Sequence, residues 1–120
     1  MQQGRMERLS QQLQQEIAMI IHQELKDPRL GFVTITRIEL SKDGRHAKVR
    51  FSCLGGEAER ESSQQALDRA AYFIHGLIKK RFHLKVIPVL AFSYDASIEG
   101  SIQLSDTFER LKGDNASDDV

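Results

Sequence analysis

Apolar residues recur at spacings of three and four between Arg5 and Lys26, and this spacing predicts an amphipathic helix. Glutamines occupy much of the remaining surface of this helix. Pro28 disfavours helical geometry at the preceding residue, so we expect the helix to end near Asp27. The positions that form its apolar stripe are Leu9, Leu13, Ile17, Ile20 or Ile21, and Leu25.

Two strands joined by a tight turn are predicted next, because Asp43-Gly44 separates two strand-like segments. The first segment, Phe32 to Ser41, is rich in β-branched residues. Strict alternation would place Phe32, Thr34, Thr36, Ile38 and Leu40 on one face, and Val33, Ile35, Arg37 and Glu39 on the other. In the second segment, Arg45 to Leu54, it places Ala47, Val49, Phe51 and Cys53 on the core side, and His46, Lys48, Arg50 and Ser52 on the polar side.

A second helical pattern begins between Glu57 and Ser62 and continues to about Lys80. Gly76 lies inside it, so the run is either one long helix or two helices with a break. Val86 to Tyr94 predicts a third strand, in which Pro88 belongs at the start, at a bulge or at an edge because it has no backbone N–H. The whole pattern indicates an α+β domain of two layers, with a three-stranded sheet packed on helices.

The length of 120 residues predicts one globular domain, over residues 1–112, followed by a short acidic tail over 113–120. Weak helical signals continue over 98–111, and the tail, with three Asp and no Lys or Arg, is expected to be disordered. The sequence contains no apolar run long enough to cross a membrane and no apolar signal-peptide region. We therefore expect a cytoplasmic protein without membrane contact.

The positive charge is concentrated although the net charge is zero. Between Arg69 and Tyr94 there are five Lys or Arg and no Asp or Glu. Such a segment attracts phosphate groups, which makes it the first candidate RNA-binding surface. Cations at the end of a helix also stabilise its dipole, so a purely structural role stays open. The candidate residues in this segment are Lys79, Lys80, Arg81 and Lys85.

Further candidate RNA contacts lie on the hairpin and near the N-terminus. Lys48 and Arg50 project from the polar side of the second strand, where charges equally serve to prevent edge-to-edge aggregation. Arg29 stands in a short loop, and the alternative to RNA binding there is a salt bridge to Asp27 or Asp95. Two more candidates, at the start of the first helix, are Arg5 and Arg8.

No pattern of residues indicates catalysis, a cofactor or a metal site. The four histidines lack metal-binding spacing such as H-E-x-x-H, and Gly55-Gly56 lacks the Lys-Ser/Thr of a phosphate-binding loop. Cys53 is the only cysteine, which excludes an internal disulfide and a multi-cysteine metal site. We therefore expect a binding protein rather than an enzyme.

Three segments in combination resemble a known family. They are LKDPRLGFVTIT, IELSKDGRHAKVRFSCLG and ALDRAAYFIHGLIKKRFHLKVIPVLAFSYDASIEG. They resemble ribosome-binding factor A, the bacterial assembly factor of the small ribosomal subunit. The resemblance implies a type II KH-like fold of order α-β-β-α-α-β. It also implies binding to the immature 30S subunit and its 16S rRNA, late rRNA processing and a role in cold growth. We expect the protein to be a monomer.

The family replaces the GxxG loop of KH domains with a helix–kink–helix of the form Ala-x-Gly. Ala70 and Ala71 match its first two positions, but Tyr72 stands in place of the glycine. We therefore expect a kink that is shallower, or one held by the packing of Tyr72. His75 replaces the usual Arg, which weakens one implied RNA contact. The balanced charge and Tyr72 keep an alternative function open, a KH-like protein-interaction module without RNA binding.

Overall fold

The computed structural model describes residues 2–97. Helix α1 spans Gln2–Met19 and continues into a π-helical turn, Ile20–Glu24, after which a 3-10 turn, Pro28–Leu30, leads into the sheet. The remaining elements are strand β1 (Val33–Leu40), strand β2 (His46–Cys53), helix α2 (Glu57–Arg81) and strand β3 (Val89–Tyr94). The predicted helical signals at 98–111 and the tail at 113–120 lie outside the described residues.

The three strands form one mixed sheet with β2 in the centre. Strand β2 is antiparallel to β1 and parallel to β3, because α2 carries the chain back to the starting edge of the sheet. The apolar side chains of both helices and of one sheet face form a single core. The predicted α+β architecture, with a three-stranded sheet packed on helices, is thus confirmed. Pro88 directly precedes β3, as its missing N–H requires.

The π-helical turn explains why the sequence pattern allowed either Ile20 or Ile21 at the same position of the apolar stripe. The N–H of Leu25 donates to the carbonyl of Ile20 over 3.0 Å, one residue further than in an α-helix. The wider turn lets both Ile20 and Ile21 reach the core, where their exposed fractions are 0% and 2%. The helical geometry ends before Pro28, as predicted.

A bulge in β1 overturns the predicted division of that strand into two faces. The pairing register shifts between Ile35 and Arg37, so that Thr36 is inserted opposite β2. Before the bulge Val33 and Ile35 are buried, and after it Ile38 is buried. Strict alternation placed these residues on opposite faces, which was wrong, because one extra residue brings the second half of the strand back to the core side.

The buried carboxylate of Asp95 fastens this bulge to the end of β3. Its exposed fraction is 2%. Oδ2 accepts a hydrogen bond from the hydroxyl of Thr36 over 2.6 Å, and Oδ1 accepts from the hydroxyl and the N–H of Ser97 over 2.6 and 3.1 Å. The N–H of Asp95 itself donates to the carbonyl of Phe51 in the central strand over 2.7 Å. All three strands are therefore joined at one residue.

Side chains from the two helices occupy the open edges of the sheet. The amide of Gln14 on α1 donates to the carbonyls of Ile35 and Thr36 over 3.1 and 3.2 Å, at the outer edge of β1. The amide of Gln64 on α2 donates to the carbonyl of Phe92 over 2.8 Å, at the outer edge of β3. These contacts satisfy backbone acceptors that an edge strand otherwise leaves open for another chain.

Helix α2 runs for 25 residues without interruption. The two helices implied by the resemblance therefore form one helix, and the predicted kink at Ala70, Ala71 and Tyr72 does not break it. The side chain of Tyr72 is 88% exposed, so the prediction that its packing holds a kink was wrong. At the start of the helix, Glu59 Oε1 accepts from the N–H of Gly56 over 2.8 Å and so caps the first turn.

The local structure requires a glycine at Gly55, just before this helix, but not at Gly76, inside it. Gly55 adopts a positive φ of 109°, and a Cβ there would lie 2.6 Å from Glu59 Cγ. Gly76 has ordinary helical geometry, and a Cβ there would meet nothing within 4 Å. Backbone conformation and packing therefore require a glycine at Gly55 but not at Gly76, where the glycine weakens the helix.

Replacing Asp95 with Asn should lower the free energy of unfolding at pH 7 by about 1–3 kcal/mol, since an amide leaves buried donors without a charged acceptor. Burial by itself raises the pKa of Asp95, but hydrogen bonds from Ser97 and Thr36 and the charge of Arg37 outweigh it, so this pKa lies below its usual value. The stabilisation is thus present above the unfolded-state pKa and is lost as pH falls through the folded-state pKa.

Urea unfolding followed by circular dichroism between pH 7 and pH 3 measures this effect. The difference between the parent and Asp95→Asn should shrink toward zero at the acid end. Asp68→Asn, on the exposed side of α2, is the control and should change stability by less than about 0.5 kcal/mol. A difference for Asp95→Asn that is independent of pH would contradict the role of its charge.

Replacing Gly76 with Ala should raise the free energy of unfolding by about 1 kcal/mol, because alanine restricts the unfolded chain and has a higher helix propensity. The midpoint of thermal unfolding should rise by about 4–8 °C. The matched control, Gly55→Ala, should instead destabilise the protein by about 1–3 kcal/mol because of its positive φ. A loss of stability in Gly76→Ala would show that the glycine has a structural purpose.

Candidate nucleic-acid interface

The exposed side of α2 carries a cationic surface. From Gln65 onward, the residues on this side of the helix recur with helical period, and we call them the α2 stripe. They are the exposed Gln65, Asp68, Arg69, Tyr72, Phe73, Lys79 and Lys80, and the half-buried Gly76. Neither Lys79 nor Lys80 forms an ion pair with any carboxylate in the part of the chain that the structure describes. Both ammonium groups are therefore available to an anionic partner.

Arg81, predicted to belong to the same cluster, has a different environment. Its Nη1 lies 2.5 Å from Glu16 Oε2 and its Nη2 lies 2.6 Å from Glu24 Oε2. Hydrogen bonds to Glu24 and Glu16 raise the pKa of the Arg81 guanidinium above its usual value. The geometry joins the end of α2 to α1 and to the π-helical turn, so the charge of this arginine is already compensated.

Lys85 is exposed in the connection between α2 and β3, at 82–88. It follows the α2 stripe along the chain and forms no ion pair with a described carboxylate. The last turn of α2 and the segment after it thus present Lys79, Lys80 and Lys85 without an ion pair to any carboxylate of the described residues. This is the part of the predicted cluster that remains free to contact phosphate.

Lys48 and Arg50 lie on the other layer of the molecule, on the sheet face away from the helices. Lys48 is exposed and is paired in register with Glu39. Arg50 is more constrained, since its Nη2 lies 3.5 Å from Glu39 Oε1 and its Nη1 lies 3.4 Å from the hydroxyl of Ser93. Its buried Nε has no hydrogen-bond partner. The structure therefore does not bring these two cations together with the α2 stripe.

Arg29 forms the salt bridge that was the alternative to an RNA contact. Its Nε and Nη2 donate to the two carboxylate oxygens of Asp27 over 3.0 and 2.7 Å. The backbone N–H of Arg29 also donates to Asp27 Oδ1 over 3.0 Å, which caps the 3-10 turn. The hydrogen bond from the Arg29 side chain lowers the pKa of Asp27. Arg5 and Arg8 are exposed on the first turns of α1.

Arg69 is an exposed cation on the same side of α2 that was not predicted to contact RNA. It lines a groove of about 310 Å³ between α2 and the 3-10 turn, together with Lys26, Asp27 and Arg29. Arg69 also helps to lower the pKa of Asp27 through its positive charge. Arg69 lies three residues before Tyr72 and ten before Lys79, and this spacing places all three on one face of a helix. Helical periodicity could therefore have identified Arg69 from the sequence.

Residues 2–97 include neither a metal-binding cluster nor a membrane-spanning helix. No group of three or more His, Cys, Asp or Glu side chains in this range could hold a metal ion. None of the helices there is both long enough and apolar enough to cross a membrane.

Comparison with known proteins agrees with this architecture. The family model of ribosome-binding factor A matches residues 5–108. The ribosome-binding factor A of Thermomicrobium roseum is 44% identical over 115 residues, covering 96% of this chain and 89% of that protein. That of Thiobacillus denitrificans is 41% identical over 112 residues, covering 93% and 90%.

Solved structures show the same relationship. The crystal structure of ribosome-binding factor A from Thermus thermophilus superposes with a TM-score of 0.65 at 32% identity, covering 72% of this chain and 92% of that one. A homology model of the Thermus protein, fitted into a cryo-EM map of a 30S–RbfA complex, gives a TM-score of 0.63 at 31% identity over 76% and 96% of the two chains. The chain belongs to the ribosome-binding factor A family.

Proposed function

We propose that the protein binds the immature 30S ribosomal subunit through its 16S rRNA and assists the late steps of rRNA maturation without catalysing a reaction. The observation that carries the proposal is the pair Lys79 and Lys80, exposed at the end of α2 without a described acidic partner. The fitting of a family member into a map of a 30S complex supports the choice of partner. We include in this proposal a role in growth at low temperature, which membership of the family implies.

The mechanism is positional. Lysine side chains contact phosphates and fix the protein against the RNA backbone, whereas folded RNA supplies specificity through its shape. A chain with a formal net charge of zero has little attraction for bulk RNA, so it binds where the α2 stripe and the local RNA geometry coincide. Bound in this way as a cytoplasmic monomer, it holds rRNA in an immature arrangement until release.

A second candidate, a protein-interaction module, is favoured by an exposed apolar pair at the end of the hairpin. Phe32 and Leu54 are 67% and 68% exposed and flank the paired residues Val33 and Cys53. Mixing the protein with purified 16S rRNA and, separately, with free ribosomal proteins distinguishes the two candidates. A gel shift with the rRNA supports the first, whereas a complex with ribosomal proteins alone supports the second.

Replacing both Lys79 and Lys80 with Ala should weaken binding to purified small subunits roughly tenfold, because two phosphate contacts are lost. The slope of log affinity against log salt concentration should become shallower by about 1.5–2. Both side chains are exposed, so the unfolding midpoint should change little. Co-sedimentation at several salt concentrations provides the measurement.

The control for this variant removes the same amount of charge elsewhere. Lys42 and Arg45 flank the hairpin turn, and replacing both with Ala should leave affinity and salt slope near the parent values. If the two double variants lose affinity equally, net charge rather than the α2 stripe determines binding.

Replacing Arg81 with Ala should act on the fold instead of on RNA binding. The substitution leaves Glu16 and Glu24 without their shared cation, so the thermal midpoint should fall, and it should fall further at low salt than at high salt. The salt slope of subunit binding, measured below the unfolding transition, should match the parent. A shallower slope with an unchanged midpoint would place Arg81 among the phosphate contacts.

A further inference from the structure

We propose that Tyr72 is a stacking platform for one unpaired base of RNA, with phosphates on either side of that base contacted by Arg69 and by Lys79 or Lys80. The inference rests on the proposed function and deepens it, since it assigns a chemical task to one residue of the α2 stripe. Helix α2 is uninterrupted at Tyr72, and the exposure of the ring excludes a role in the core.

The first observation is the position of the ring. The side chain of Tyr72 is 88% exposed in the middle of a helix whose buried side holds Ala66, Leu67, Ile74 and Ile78. The neighbouring Phe73 is 49% exposed, so two aromatic side chains stand on the solvent side of the same turn. An aromatic face accepts any base by stacking, and it contributes most where the strand is unpaired and its bases are accessible.

The second observation is the glycine one turn further on. Gly76 lies four residues after Tyr72, on the same side of the helix. Neither backbone conformation nor packing calls for a glycine there, because φ is not positive and a Cβ would meet nothing within 4 Å. The missing side chain leaves a bare section of helix between Tyr72 and the two lysines. A flat base stacked on the ring can extend over this section without meeting a side chain.

The third observation is the charge on either side of the ring. Arg69 lies three residues before Tyr72, and Lys79 and Lys80 lie seven and eight residues after it. Asp68 is the acidic residue within the α2 stripe, and the amide of Gln64 donates to it over 3.0 Å, whereas the exposed Glu61 lies one turn before the stripe begins. Three cations against one carboxylate favour a polyanion. A protein partner could also offer an apolar group to the ring of Tyr72. Only a nucleic acid, however, places a phosphate next to every aromatic base, and this arrangement matches a ring with cations on either side.

The test compares binding to purified small subunits for the parent, Tyr72→Ala and Tyr72→Phe. Loss of the ring should weaken binding at least fivefold, in the range that alanine substitution gives for one stacked base. Tyr72→Phe keeps the ring and should remain within about twofold of the parent. Val89→Ala, which shortens an exposed apolar side chain on β3 instead of on α2, should also remain within about twofold.

A second variant fills the bare section of the helix. Gly76→Gln introduces a neutral, helix-favouring side chain and should raise the thermal midpoint, yet it should weaken subunit binding at least threefold, because the side chain occupies the space of the base. Stability and affinity therefore move in opposite directions, which a purely structural role of Gly76 does not produce. Ultraviolet cross-linking of the bound parent, followed by mass spectrometry, should find a nucleotide on the peptide that contains Tyr72.

The outcomes separate this inference from the proposed function. If the parent does not bind small subunits, the proposed function itself fails. If the parent binds and the Lys79/Lys80 double variant is weakened while Tyr72→Ala binds like the parent, the stacking inference alone is overturned. It is also overturned if Tyr72→Ala loses affinity for whole subunits but not for protein-free 16S rRNA, because the ring then contacts a ribosomal protein.

Discussion

The hydrogen bond between the Asp95 carboxylate and the Thr36 hydroxyl is the interaction on which the sheet depends. It is made across 59 residues of chain and joins the bulge of β1 to the end of β3. The bulge in turn decides which side chains of β1 reach the core, because it restores Ile38 to the side of Val33 and Ile35. The buried carboxylate is stabilised because it accepts hydrogen bonds from Thr36 in β1 and from Ser97.

Much of this architecture could be predicted from local patterns. The helical period, the Asp-Gly turn and the position of Pro88 predicted the elements and the hairpin of β1 and β2, because each depends on neighbouring residues. The Thr36 bulge could not be predicted, since it depends on a partner at Asp95 that is distant in sequence. The length of α2 could not be decided either, because periodicity is the same for one helix and for two.

In the candidate site too, contacts between residues distant in sequence could not be predicted. Lys79 and Lys80 were identified by a run of uncompensated charge, and the structure leaves them exposed. Arg81 belongs to the same run, but its two carboxylate partners come from a helix more than 50 residues earlier, which no local pattern reveals. Strand alternation placed Lys48 and Arg50 on the polar side of the hairpin, but it did not show that this side lies opposite the α2 stripe. The alternation of strands and the period of helices, applied together, separate these faces.

The parallel pairing of β2 with β3 has a consequence for how the domain forms. The two strands come together across a separation of about 43 residues, as the contact of Arg50 with Ser93 shows, whereas β1 and β2 are connected by a short turn. The local hairpin and α2 therefore form their contacts at a lower entropic cost than the pairing of β2 with β3. During translation, the central strand keeps an unpaired edge until the segment after α2 has left the ribosome.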